Sequence, residues 1–348
     1  MKLLNRLKYR YKLWKCKNTC IFGSVYTLLL YLLHCPDDEL AKTFYLCYAP
    51  SADHITKHLP ISDNCYELWW DRVDKQKLWR YRLKSLTTYF PLLFTKKYAQ
   101  VDACGATQII NHTNYTLIED GHGYFTYAYD SPHVQPFDVP KTFWGFKQKL
   151  KFGPLHGKRM GQNKQCIDRL ITADHDTESP WIKGRKYTLL DIQELWNKAS
   201  EYKKKFILDV YDIQSDVVDK LKDYKTIILT QPWAEAFLIP EKEVLDIYAP
   251  YVEQYKNTGV VIKPHPREKD IDYAKHFQNV FVWQTRAPLQ IFMLMGIEFE
   301  NVITVNSSAI SLFPSTTNIV WLGSEVHSVI LDRCGHAELQ DFINHPSK

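Results

Sequence analysis

Short apolar runs closed by polar motifs recur along this chain, and they constrain its fold more than any other feature. In the first half, residues 19–22, 43–48, 100–103 and 115–118 read as strands. Between them, residues 24–33, 66–86 and 106–111 read as helices, the second carrying Leu68, Trp69, Val73, Leu78, Trp79 and Leu83 at helical spacing. In the second half, residues 226–232, 260–266, 280–283, 302–308 and 319–322 are strand-like, with helices expected over 241–256, 270–277, 289–295 and 309–313. Such alternation predicts parallel sheets covered on both faces. A chain of 348 residues has room for two domains of this kind. The boundary is expected near residues 212–223, separating 1–212 from 213–348. Residues 190–204 read as one helix opened by Asp191, followed by a short apolar run at 206–210. Residues 130–186, rich in Pro, Gly, His and Lys, read as loops and short helices around a site opening, or as a membrane-facing element.

Charge is where composition matters. The net charge of +5 is unevenly spread: the first seventeen residues hold Lys2, Arg6, Lys8, Arg10, Lys12, Lys15 and Lys17 and no acid. Leu3, Leu4, Leu7, Tyr9, Tyr11, Leu13 and Trp14 interleave with them, a pattern that suits an anionic lipid surface better than nucleic acid. Residues 141–186 form a second basic stretch, with Lys147, Lys149, Lys151, Lys158, Arg159, Lys164, Arg169, Lys183 and Arg185 against few acids. A solvated basic face is the plainer reading of both. Aromatic residues make up 14% of the chain, which suits carbohydrate or membrane-interface contacts as well as an ordinary core. The eight cysteines form no CxxC pair, so neither a zinc site nor a disulfide framework is legible, and a reducing cytosol is the expected home. Residues 25–33 are apolar but too few to span a bilayer, and Gly23-Ser24 stand where a strand would turn into a helix.

Three motifs carry chemistry. Glu119-Asp120-Gly121 follows the run YTLI: two carboxylates at a strand end suit a general base, and the glycine permits a sharp turn or a close backbone approach. The residue nearer the turn, Asp120, is the freer of the two carboxylates, with Glu119 and Gly121 beside it. Lys263-Pro264-His265-Pro266-Arg267 holds an imidazole between two prolines with a cation on either side, which suits a phosphate that gains charge as a bond breaks. Asn306-Ser307-Ser308 ends a strand and precedes an expected helix, where hydroxyls and free N–H groups make an anion site or simply a helix cap. No GxGxxG follows the first strand, which argues against nicotinamide or flavin. Asp174-His175-Asp176 spells a DxD metal motif, but in what reads as a polar loop. His122, His133 and His156 read as loop histidines that can touch an acceptor.

Together the three motifs resemble those of the bacterial sialyltransferases of GT-B fold, and most closely glycosyltransferase family 52, the lipooligosaccharide sialyltransferases. The stretches YTLIEDGHGYF and IYAPYVEQYKNTGVVIKPHPRE are similar to that family too. The resemblance implies two Rossmann-like domains facing a central cleft, with 1–212 on the acceptor side and 213–348 binding CMP. It implies an inverting, metal-independent transfer of N-acetylneuraminic acid from CMP-Neu5Ac, with no cofactor. The acceptor would be a terminal galactose of a lipid-linked glycan, a lipooligosaccharide or O-antigen unit, joined in an α-2,3 linkage. Asp120 would be the base. His265 would be the general acid or phosphate stabiliser. Ser307 and Ser308 would hold the CMP phosphate, with Lys263, Pro266, Asn306 and Arg267 around the donor. The chain departs from the family at Gln290, where an acidic residue often meets the ribose. The implied setting is the cytoplasmic face of a bacterial inner membrane, held peripherally, with a homodimer possible and no nucleic-acid partner. The rival readings are a GT-B hexosyltransferase using a UDP-sugar, and a non-catalytic membrane glycan-binding protein.

Overall fold

The computed structural model describes residues 11, 14–47, 64–67, 94–100, 113–121, 165–180, 182–265, 267–268, 271–336 and 339. The chain divides into two compact units, Met1–Asp212 and Ile213–Pro346, apart from its last two residues. Among the described residues each unit holds one sheet, and every strand pairing in both is parallel.

The first sheet contains β1 (Asn18–Phe22), β2 (Thr43–Cys47), β3 (Cys65–Glu67), β4 (Lys96–Gln100), β5 (Tyr115–Ile118), β6 (Cys166–Ile171) and β7 (Thr188–Leu189) in the order β3-β2-β1-β4-β5-β6-β7. The order reverses between β1 and β4, the switch point of a Rossmann-like sheet. Strands β1, β2 and β5 are buried along their whole length, as expected of parallel strands covered on both faces. The helix Val25–His34 follows β1 directly, and eight of its ten residues are buried. Its N-cap is Ser24, whose hydroxyl accepts from the Thr27 N–H. This run is therefore a core helix, and among the described residues no helix is long and apolar enough to cross a membrane.

Several expectations are corrected here. The strand anticipated around 100–103 begins earlier, as β4 over Lys96–Gln100, and 101–103 lie outside the described residues. Its two lysines disguise it, yet Lys97 is buried with its ammonium donating to the Thr95 carbonyl at 2.6 Å. Tyr66 lies in β3 rather than opening a helix, while 68–86 and 106–111 lie outside the described residues. The stretch read as loops contains β6, hidden from a periodicity reading by Asp168 and Arg169, and β7 follows just beyond it. Arg169 is not a surface cation: it is buried and donates to the Lys186 carbonyl at 3.1 Å. The helix anticipated over 190–204 is two helices, Ile192–Lys198 and Glu201–Val210, because Ser200 breaks the first and caps the second. The run 206–210 belongs to the second of these.

The second sheet contains β8 (Thr226–Leu229), β9 (Val260–Lys263), β10 (Val280–Val282), β11 (Asn301–Thr304) and β12 (Asn318–Trp321) in the order β10-β9-β8-β11-β12. Its switch point lies between β8 and β11. One face packs on the helix Glu241–Tyr255 through Val244, Leu245, Tyr248 and Val252, which join Ile228, Val260, Ile262 and Ile303 in one core. The helix expected at 309–313 is a five-residue 3-10 turn, Ser308–Leu312, stopped before Pro314.

Candidate functional site

In the first unit the polar motif stands at the carboxyl end of β5. Glu119 is wholly buried. Its Oε1 accepts from the Tyr26 hydroxyl at 3.0 Å and from the Thr172 hydroxyl, and its Oε2 accepts the Thr172 N–H at 3.1 Å. Its own carbonyl accepts from the Thr27 hydroxyl at 2.9 Å. Three elements thus meet on one carboxyl: the helix Val25–His34, β5, and the residue after β6. Burial raises the Glu119 pKa to about 8, the Thr172 and Tyr26 hydrogen bonds pull it down, and the neighbouring Asp176 charge adds to the rise. The carboxylate that acts on Glu119 is therefore Asp176, across the sheet edge, and burial outweighs it. Asp176 itself is fully buried in a 3-10 turn, Asp174–Glu178, rather than in an open polar loop. Among the described residues no cluster of three or more His, Cys, Asp or Glu is arranged to hold a metal ion.

Asp120, one residue past the strand, is half-buried. Gly121 does not take up a left-handed turn. Its φ is not positive, and a Cβ there would meet nothing within 4 Å among the described residues. At this unit's switch point, Gln100 Oε1 accepts both the Gly23 N–H at 2.6 Å and the Ser24 N–H at 3.0 Å.

In the second unit, strand register brings the other two motifs to one edge. Leu229 of β8 pairs with Lys263 of β9 on one side and with Thr304 of β11 on the other. The His265 loop and the Ser307 turn thus leave the same carboxyl edge two strands apart, about 10 Å at ordinary strand spacing.

Lys263 is half-buried, with its ammonium 5.9 Å from the centre of the Trp283 ring. Burial lowers its pKa to about 8, against the pull of the Glu268 charge. His265 is half-buried. Its Nδ1 accepts the Arg267 N–H at 3.1 Å, which leaves the ring proton on Nε2. Burial lowers the His265 pKa to about 4, helped by the Arg267 and Lys263 charges and opposed by Glu235. At neutral pH His265 is a neutral imidazole presenting an Nε2–H donor. Arg267 is exposed, and Pro266 lies outside the described residues.

Ser307 caps the 3-10 turn: its hydroxyl accepts the Ala309 N–H at 3.3 Å, and its own N–H donates to Thr304 at 3.2 Å. The anticipated α-helix start is thus a short, self-capped turn. Ser308 opens that turn, with its side chain outside the described residues. Asn306 is half-buried, and its side chain bonds to the Cys334 thiol. Gln290 is half-buried in the helix Leu289–Leu294. His122, His133 and His156 lie outside the described residues.

Sequence reasoning missed Tyr26 and Thr172 in the first unit, noted Asp176 only as part of a DxD motif, and missed Thr230, Glu268 and Tyr273 in the second. Most come from distant parts of the chain. Glu268 carried a usable signal, standing three residues after the histidine in KPHPRE.

Comparison with known proteins bears on both units. A model of glycosyltransferase family 52 matches residues 97–322. An uncharacterized protein of Haemophilus influenzae is 31% identical over 227 residues, 65% of this chain and 68% of that protein. Among solved structures, the chain is similar to a 2,6-sialyltransferase of Photobacterium sp. JT-ISH-224 in a ternary complex with CMP and lactose. That match has a TM-score of 0.57 and 10% identity, covering 87% of this chain and 71% of that one. It is also similar to the GT-B domain of a Photobacterium damselae sialyltransferase, with a TM-score of 0.54 and 11% identity over 91% of this chain and 96% of that one. An α/β-galactoside α-2,3-sialyltransferase of Photobacterium phosphoreum matches with a TM-score of 0.55 and 11% identity, over 87% of this chain and 88% of that one. At these identities the structural likenesses speak for the GT-B fold. The family match takes in β4 to β7 of the first sheet, the whole of the second, and Asp120, His265 and Ser307 alike, so the chain belongs to glycosyltransferase family 52 and is a glycosyltransferase of GT-B fold.

Proposed function

We propose that this glycosyltransferase moves N-acetylneuraminic acid from CMP-Neu5Ac to a terminal galactose of a bacterial lipid-linked glycan, with inversion and without a metal. The observation that carries the reading is the state of His265. A neutral imidazole with its proton on Nε2, beside Lys263, is built to donate to a phosphate oxygen that gains charge. Supporting it are the family and the solved structures of like fold, one described with CMP and lactose and another as a galactoside α-2,3-sialyltransferase.

The reaction divides between the motifs. The acceptor hydroxyl loses its proton to the Asp120 carboxylate as its oxygen bonds to the anomeric carbon. The bond from that carbon to the CMP phosphate oxygen breaks with its electron pair on the phosphate. His265 Nε2–H hydrogen-bonds that oxygen, Lys263 and Arg267 supply positive charge, and Asn306, Ser307 and Ser308 contact the phosphate. Glu119 supports Asp120 from within the core, and Gly121 follows Asp120 at the strand end. An α-2,3 linkage and a lipooligosaccharide or O-antigen acceptor complete the reading.

The proposed setting is the cytoplasmic face of the inner membrane. Trp14 and Tyr11 are largely exposed, and the Lys15 ammonium lies 4.3 Å over the Tyr11 ring, a pairing suited to anionic headgroups.

The test is a transfer assay with CMP-Neu5Ac and galactose-terminated acceptors, run beside UDP-hexoses and with EDTA, followed by linkage analysis. CMP release with sialylated product, undiminished by EDTA, is expected. Release of UDP with a hexosylated product would transfer the assignment to the hexosyltransferase reading. Asp120→Ala and His265→Ala should each cut turnover at least ~100-fold.

A further inference from the structure

Beneath the His265 loop lies a carboxylate that the mechanism above does not use. The Glu268 carboxylate accepts the His265 N–H, and the Glu268 N–H donates to the His265 carbonyl at 2.8 Å. The two residues thus close a turn reciprocally, as a capping box does at a helix start. The same carboxylate is anchored from below. It accepts from the Thr230 hydroxyl at the end of β8 and from the Tyr273 hydroxyl at 2.8 Å. Thr230 is 3% exposed and Tyr273 1% exposed, so both anchors belong to the core rather than the surface. Thr230 Oγ1 also lies 3.3 Å from the His265 nitrogen.

Closing this turn has a consequence for the imidazole. Arg267 sits inside the turn, and its N–H meets His265 Nδ1 only while residues 265–268 keep this shape. That hydrogen bond selects the tautomer with the proton on Nε2. We propose that Glu268 is the positioning residue for His265, holding the loop on Thr230 and Tyr273 so that the imidazole keeps one tautomer and one direction. The proposal rests on the role given to His265 above. Burial holds the Glu268 pKa up near 7, opposed by its Thr230 and Tyr273 hydrogen bonds, so the site keeps its carboxyl at a desolvation cost. Glutamine fits the same contacts: its oxygen can accept from His265 and Thr230 while its amide donates to the Tyr273 hydroxyl.

The experiment combines turnover with CMP-Neu5Ac and lactose and nitrogen NMR of the histidine-labelled full chain. It compares Glu268→Ala, Glu268→Gln, His265→Ala and the double alanine variant. Glu268→Ala should lower turnover ~10–100-fold with the donor KM changed less than ~3-fold, and Glu268→Gln should stay within ~5-fold of wild type. In the His265→Ala background, Glu268→Ala should add nothing. The wild-type His265 signal should report an unprotonated Nδ1, and Glu268→Ala should mix the tautomers. If Glu268→Ala costs the same factor with and without His265, or leaves the tautomer unchanged, the positioning role is wrong. Normal turnover in His265→Ala would overturn the catalytic reading instead, and the NMR arm would still decide the positioning. Should Glu268→Ala not fold, Tyr273→Phe and Thr230→Val each remove one anchor and should lower turnover ~3–10-fold, again only when His265 is present.

Discussion

Glu119 in the first unit and Glu268 in the second are the same device in two settings. Each is a glutamate gripped by one tyrosine and one threonine hydroxyl, and each stands beside or beneath a candidate reacting residue. Glu119 is sealed within the sheet edge, and its neighbour in the chain, Asp120, is the proposed base. Glu268 is only half-buried and acts on His265 through a turn. Depth decides what each grip is for. A fully enclosed carboxyl joins three elements and chiefly stabilises the unit. A shallower one fixes a loop and chiefly sets the direction of a ring.

The sharpest way to break this contrast is to remove both side chains and compare losses. Glu119→Ala leaves the Tyr26 and Thr172 hydroxyls without their carboxyl partner, and should cost about 2–5 kcal/mol of stability. Glu268→Ala should cost less stability and more turnover. Thermal unfolding of both variants, read beside their rates, checks this, and equal losses of stability would erase the distinction.

A second contrast lies in pH. Folded Glu119 keeps its proton up to about pH 8, whereas its ordinary value is 4.5. Between those values the folded chain binds the extra proton, so this contribution is full below pH 4.5 and is lost as pH rises through 8. Glu268 acts in the same direction, with its loss completed nearer pH 7. The melting temperature should therefore fall by several degrees from about pH 5 to 8, and Glu119→Gln should flatten the fall. A Glu119→Gln melting curve as steep in pH as wild type would show that Glu119 is ionised inside the sheet. His265 is expected to do the opposite of a typical histidine: held near 4, it should impose no step on the turnover profile between about pH 5.5 and 7.5. A step near 6.5 that disappears in His265→Ala would mean the charged ring is the working form.

The smallest expected effect is at Ser307. Its hydroxyl caps a short turn, so Ser307→Ala should lower stability by only about 0.5–1 kcal/mol while raising the donor KM several-fold. A change in stability alone would leave it a cap.

Much of this architecture could be read from apolar runs, because β5, β8, β9 and β11 are buried parallel strands with little charge in them. β4 and β6 escaped because Lys97, Asp168 and Arg169 sit inside them, each compensated by partners that only the folded chain supplies. The site was legible in the same uneven way. Asp120, His265 and Ser307 announce themselves by standing at strand ends. Tyr26 and Thr172 reach Glu119 from 93 and 53 residues away in the chain, and no local pattern marks them. The neutral state of His265 was equally hidden, since it depends on burial and on the Arg267 N–H rather than on residue type.

The side chain of Gln100 gives the first sheet a particular character. The place in a Rossmann-like sheet where a nucleotide phosphate would ordinarily rest is filled there by the protein's own amide oxygen. If the second unit binds the donor as proposed, calorimetry with CMP should find one equivalent per chain.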